Sequence, residues 1–334
     1  MERPIRSLPR ALDTTITQNP RAEATIALVA FALAAVAVFR PGAGVYGAPS
    51  VAAVALLFAL LVGAYFAFSV GVVVRALQDA VRRLPGGALA GPAVLWLAVV
   101  LYAALSGVAV PPRAGAFAAY LFAPALLVMT GLTPPGRPPV RELFAVLLLW
   151  LPVELRLLPH IPVPSPGGYD VARFVGLVDA LFLFLIVRPL PDVGYTFALR
   201  RRDVVVALLV FVVYAAVALP VGLATGLIAW RPTASSSRVA VTPLLIYLGT
   251  GVPEEFLFRG LIQNLLRRWC GPARAMVAAA AIFGLAHLPD PRYVLLAAIA
   301  GLAYGWTYQR TGRITASAVT HALVDAAWVI LLRR

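Results

Sequence analysis

Three charged residues interrupt an apolar run near the end of the chain: Glu254, Glu255 and Arg259, within GTGVPEEFLFRG and flanked by VAVTPLLIYL and LIQNLL. Further along lie His287, in FGLAH, and His321 and Asp325, in HALVD. An ionisable group at bilayer depth costs several kcal/mol and normally faces a cavity or a partner, so these six residues are candidates for one site. Glu255 and Arg259 are spaced i,i+4, share a helix face and can pair. Glu254 sits about 100° round from Glu255 on the helix and off the arginine's face, as the carboxylate suited to chemistry. Two neighbouring carboxylates in a poorly hydrated site divide naturally into a base and a structural partner.

The elements that must position these groups are long and apolar. Hydrophobic residues make up 61% of the 334, and charged residues only 13%. A soluble domain is nearer half apolar and a quarter charged. Apolar runs approach the length that crosses a bilayer at about 24–39, 50–74, 88–110, 114–132, 142–158, 171–187, 203–230, 239–266, 274–288, 293–309 and 316–332. The expected fold is therefore an all-α polytopic transmembrane helix bundle of about 11 spans (9–12). It divides into a cytoplasmic tail (1–23), spans of unassigned role (24–202) and a carboxyl-terminal core (203–334).

The net charge of +14 does not point to nucleic acid. All 28 basic residues are arginines, and they punctuate the apolar runs instead of forming one basic face. Their alternation between loops places the amino terminus in the cytoplasm of a multi-pass plasma-membrane protein. A single cysteine, Cys270, excludes an internal disulfide framework, and the first twenty residues lack the apolar region of a cleavable signal peptide. Without an evident internal repeat, an inverted-repeat transporter is disfavoured.

Counting from arginines at the helix ends, Glu255, His287 and His321 fall at depths of about 18 Å, about 20 Å and about 12 Å, a layer in which one site can assemble. Pro253 removes a helical hydrogen bond beside the glutamates and marks a place where water could enter. Each feature also has a structural reading. A buried Glu–Arg pair can pin two helices, His287 just before LPDP can bond helix-end carbonyls, and His321 with Asp325 can be a local pair. His160 reads as a solvated loop residue, Glu154 and Arg156 as interfacial, Phe256 and Phe258 as core or lipid contacts, and Asp179 as the partner of an unidentified arginine.

The three motifs EEFLFR, FGLAH and HALVD, in this order, resemble the CAAX prenyl protease and bacteriocin-processing (CPBP or Abi) family of intramembrane proteases. The resemblance covers roughly 240–334. It implies Glu254 as the base that activates water, Glu255 and Arg259 as its orienting pair, and His287, His321 and Asp325 as metal ligands or oxyanion stabilisers. Both a zinc ion held by Glu254, His287 and His321 and a metal-free glutamate mechanism satisfy that pattern. The last motif ends in Asp325 where many members have Asn, which favours a cationic neighbour. The expected partners are membrane lipid and a hydrophobic or lipidated peptide substrate. Alternatives of another class are a non-catalytic relative in peptide-toxin immunity or scaffolding, and a proton-coupled transporter.

Overall fold

The computed structural model describes residues 19–39, 51–107, 109–161, 171–232 and 236–333. The expected amino-terminal tail to residue 18, the connection around Arg40, most of the loop 159–170 and Arg334 lie outside the described residues. The described chain is all-α apart from one two-residue pairing, in which Ala229–Trp230 (β1) runs antiparallel to Leu332–Arg333 (β2). It forms two compact units, one over Asn19–Leu190 and one from Pro191 onward.

The first unit contains α1 (Pro20–Phe39), α2 (Val51–Ala67), α3 (Gly71–Arg83), α4 (Ala90–Leu105), α5 (Val110–Val128), α6 (Val140–Glu154) and α7 (Val171–Leu181), which runs on as a π-helix over Phe182–Val187. Its core includes Tyr65, Val99, Phe117, Leu121, Val175 and Phe184. Asp179 is fully buried in α7, and neither carboxylate oxygen has a hydrogen-bond partner among the described residues. The expected arginine is therefore not engaged with it. Glu154 ends α6, and both it and Arg156 are exposed. His160 is exposed too, and its carbonyl accepts a hydrogen bond from Arg113 Nε at 3.1 Å.

The second unit contains α8 (Arg201–Ala224), a helical run from α9 (Ser236–Ile246) through α10 (Val252–Glu255) to α11 (Asn264–Cys270), then α12 (Pro272–Leu285), α13 (Pro291–Thr311) and α14 (Ile314–Leu331). Helices α12 and α13 approach closely because Gly301 lies against Ala280, where a Cβ would come within 2.9 Å of that residue's Cα. Helix α13 starts with Asp290 as N-cap, its side chain accepting from Arg292 N at 3.0 Å.

Among the described residues, three helices can cross a bilayer by length and composition: Gly87–Leu105, Arg201–Ala224 and Ile314–Leu331. A fourth is added if the bent pair Val51–Ala67 and Gly71–Arg83 counts as one span. The expected count of about eleven is not confirmed, and several of the expected runs are bent or interrupted. The run 50–74 turns through 106° between α2 and α3. The run 203–230 stops at Ala224 and gives its last residues to the strand pairing. The run 239–266 is divided by π-helical turns over Tyr247–Gly251 and Phe256–Gln263. The run 274–288 yields only the 14-residue α12.

The segment 191–200 packs within the second unit, upstream of the boundary at 203 read from apolar runs. Its polar backbone is satisfied by side chains that surround the candidate site. Asn264 Nδ2 donates to Pro191 O at 2.7 Å, Tyr308 Oη to Asp192 O at 2.6 Å, and Thr315 Oγ1 to Thr196 O at 2.5 Å. Arg267 pairs with Asp192 at 2.8 Å, and the buried Arg313 pairs with Asp203 at 3.4 Å while donating to Ala198 O. Tyr195 meets Phe256 edge to face, and Phe197 does the same with Tyr247. This strap therefore clamps the helical run that carries the glutamates. Gly194 makes the clamp close: its φ is +67°, and a Cβ there would collide with the Gly312 carbonyl. Gly194→Ala is expected to destabilise the chain by about 1–3 kcal/mol, lowering the unfolding temperature measured in detergent. An unchanged transition would show that the strap adjusts freely.

Candidate active site

The helical run from α9 to α11 carries the two glutamates on an irregular backbone. Gly249, Gly251 and Pro253 weaken regular α-helix here, and Pro253 has no N–H to donate. The chain responds with the π-turn over Tyr247–Gly251, in which Val252 N–H reaches back to Tyr247 O. A second π-segment follows directly over Phe256–Gln263. Single-turn π insertions re-aim side chains and recur at functional sites. Here they place Glu255 inward, fully buried, and Glu254 with a third of its side chain exposed.

Three groups converge on Glu255. Arg259 Nε donates to its Oε2 at 3.0 Å, Ser317 Oγ donates to the same oxygen at 2.5 Å, and His321 Nδ1 lies 2.9 Å from Oε1. Pairing with Arg259, also fully buried, offsets the cost of placing a carboxylate in an apolar interior. The outer guanidinium nitrogens of Arg259 have no hydrogen-bond partner, but Phe258, Phe283 and Tyr304 surround its Cζ at 5.9, 5.2 and 5.6 Å from their ring centroids. Cation–π contact replaces hydrogen bonding on that side. Phe256 and Phe258 are thus core residues, not lipid contacts.

The imidazole of His321 is the centre of the arrangement. Tyr304 stacks on it at 4.5 Å with an interplanar angle of 12°, and Phe283 meets it edge-on at 5.8 Å. Its Nε2 lies 3.8 Å from Glu254 Oε2 and 3.4 Å from Asp325 Oδ2, while Nδ1 faces Glu255. With carboxylates against both nitrogens, the ring is placed to donate on both sides, the pattern of an imidazolium.

His287 stands just past the end of α12. Its Nδ1 contacts Phe283 O at 2.8 Å, the helix-end bond that its position before LPDP suggested. Its ring packs on Phe283 at 4.9 Å and meets Tyr293 edge to face at 4.7 Å. The two histidines therefore flank the same phenyl ring. Because a carbonyl only accepts, Nδ1 of His287 carries a proton in this contact, and Nε2 is left open.

All six sequence-derived residues thus lie in one unit, with Glu254, Glu255, Arg259, His321 and Asp325 linked by direct contacts and His287 linked through Phe283. Among the described residues, no group of three or more His, Cys, Asp and Glu side chains is gathered so as to hold a metal ion. Each histidine instead engages a protein group through Nδ1, His321 with Glu255 and His287 with the Phe283 carbonyl, which leaves both Nε2 atoms open. Ser317 and Tyr304 were missed by the sequence reading. Ser317 had a faint signal, since it precedes His321 by one helical turn on α14. Tyr304 had none, because it reaches the site from α13 by packing alone.

Residues 236–327 match the family model for Type II CAAX prenyl endopeptidase Rce1-like. All six residues named above fall inside this match, which covers less than half of the chain. Comparison with curated proteins and with solved structures gives no match. The matched segment is thus similar to a peptidase family, and the apolar helices are those expected of an integral membrane protein.

Within this segment, the two glutamates separate by stability. Glu255→Gln and Arg259→Met each leave a buried charge uncompensated, and each should cost about 3–5 kcal/mol in unfolding experiments. Glu254→Gln, at the partly exposed position, should stay within about 1 kcal/mol of wild type. Equal losses for the two glutamates would show that Glu254 is structural as well.

Proposed function

We propose that this protein is an intramembrane endopeptidase that hydrolyses a peptide bond of a membrane-associated or hydrophobic peptide, using water activated by Glu254. The observation that carries this reading is the asymmetry of the glutamate pair. One carboxylate is buried among Arg259, Ser317 and His321, and its neighbour is partly exposed with His321 Nε2 3.8 Å away. A buried, fully compensated carboxylate is a positioning group, and an adjacent accessible one is suited to proton transfer.

In this mechanism Glu254 takes a proton from water as the oxygen attacks the carbonyl carbon. The open Nε2 of His287 helps hold that water. Negative charge then forms on the carbonyl oxygen, and the Nε2 proton of His321 stabilises it. Glu255 acts at one remove, fixing His321 through Nδ1, and Asp325 holds the cationic ring from the other side. Glu254 returns its proton to the departing amine, the C–N bond breaks, and the products are a carboxylic acid and an amine. The same reading takes the protein as a multi-pass plasma-membrane protein with its amino terminus in the cytoplasm, an orientation that the arginine distribution supports.

The test compares purified wild type, Glu254→Gln and His287→Ala against a library of membrane peptides, with and without a chelator. Loss of the base should reduce cleavage by about 10²–10⁴-fold in Glu254→Gln while folding is retained. Cleavage that survives both substitutions would sink the site. Cleavage abolished by the chelator and restored by zinc would replace the metal-free mechanism with a metal-dependent one.

A further inference from the structure

Helix α3 is built differently from its neighbours. It leaves the apolar α2 through a bend of 106°, so if α2 crosses the bilayer, α3 runs along the membrane plane. Its sequence GVVVRALQDAVRR carries Arg75, Arg82 and Arg83 against one acid, Asp79, and none of its residues is buried. One side rests on the first unit: Gln78 Nε2 donates to Leu185 O at 2.7 Å, and Val73, Val74, Leu77 and Val81 are half-buried. The outward side is divided into two strips. Val72, Ala76 and Ala80 form an exposed apolar strip at i, i+4 and i+8, with Val72 51% exposed. Beside it run Arg75, Asp79, Arg82 and Arg83, also exposed, with Arg82 paired to Asp79.

The direction of α3 is held at its start. The carboxylate of Glu23, in the first turn of α1, accepts from Gly71 N at 3.2 Å, satisfying an amide at the helix end. Three arginines cannot lie in hydrocarbon, and an exposed valine–alanine strip gains nothing in bulk water. The headgroup layer satisfies both strips, with apolar side chains toward the acyl boundary and guanidiniums among the phosphates.

We infer that α3 is an interfacial helix that binds the anionic phospholipid headgroups of the bilayer surface, anchoring the first unit on its arginine-rich face. The net charge of the helix is +2, three arginines less Asp79. Each basic group near an anionic surface adds to binding, and the attraction decays within a Debye length.

The experiment places the full chain, with Cys270→Ser and Val72→Cys carrying an environment-sensitive fluorophore, in vesicles of phosphatidylcholine with phosphatidylglycerol. Either lipid is supplied with brominated acyl chains at equal mole fraction. Emission should shift to shorter wavelength on reconstitution. Brominated phosphatidylglycerol should quench about threefold more than brominated phosphatidylcholine at low salt, as expected for several arginines near the surface. The preference should fall toward equality in high salt, and in Arg75→Gln/Arg82→Gln/Arg83→Gln at low salt. Equal quenching by the two lipids in the wild type would overturn the lipid specificity. A fluorophore that stays water-exposed in every vesicle would overturn the interfacial placement. The salt series on the wild type keeps the inference testable if the triple variant does not fold.

Discussion

The second unit is organised around one electrostatic constraint: a carboxylate, that of Glu255, held out of water. Such a charge is tolerated only where its Coulombic partner and its hydrogen-bond donors are all in place. Arg259 answers from one turn along the same helical run, while Ser317 and His321 answer from α14. The compensation therefore ties two segments more than fifty residues apart in sequence, and the remaining packing follows from it. The aromatic rings of Phe258, Phe283 and Tyr304 close around the arginine because its outer nitrogens find no acceptors.

That same constraint gives His321 its place in the chemistry. Its Nδ1 is committed to Glu255, so the ring can neither rotate nor exchange tautomers, and Nε2 is fixed toward Glu254 and Asp325. Preorganisation of this sort lowers the reorganisation needed when charge develops on a substrate oxygen. The strap over 191–200 supports the arrangement from outside. Contacts from Asn264, Tyr308, Arg313 and Thr315 join it to the helices that bear the glutamates and His321. The irregular helical run is the other half of the device, since its π-turns let Glu254 and Glu255 differ so strongly in burial while adjacent in sequence.

The chemistry-bearing residues were legible in the sequence because a charge inside an apolar run is costly and so stands out. The spacing of Glu255 with Arg259, and of His321 with Asp325, is local, and both pairs meet in the structure. The all-α character was equally legible from the apolar runs. The span count was not, because a hydropathy run does not register a bend. Nothing in 50–74 signals the 106° turn after Ala67, and 239–266 reads as continuous although π-turns divide it. Short-range patterns record which residues are apolar, and not where the backbone changes direction.

What required the tertiary structure were the relations between distant segments. Ser317 reads as a small helix residue until α14 is laid against Glu255, and Tyr304 reads as ordinary core until it stacks on His321. The split of roles between the glutamates had been reasoned from helix geometry, but its physical basis is a buried cluster drawn from two segments. His287 shows the converse. Its helix-end bond to Phe283 is local and readable, whereas its place beside His321 depends on a phenyl ring shared between them. Residue type and short spacing are properties of the chain itself, and so the sequence alone determined which groups could do chemistry. Burial and the pairing of charges are properties of packing, and so only the folded structure decided which carboxylate is buried in a compensated cluster and which stays partly exposed.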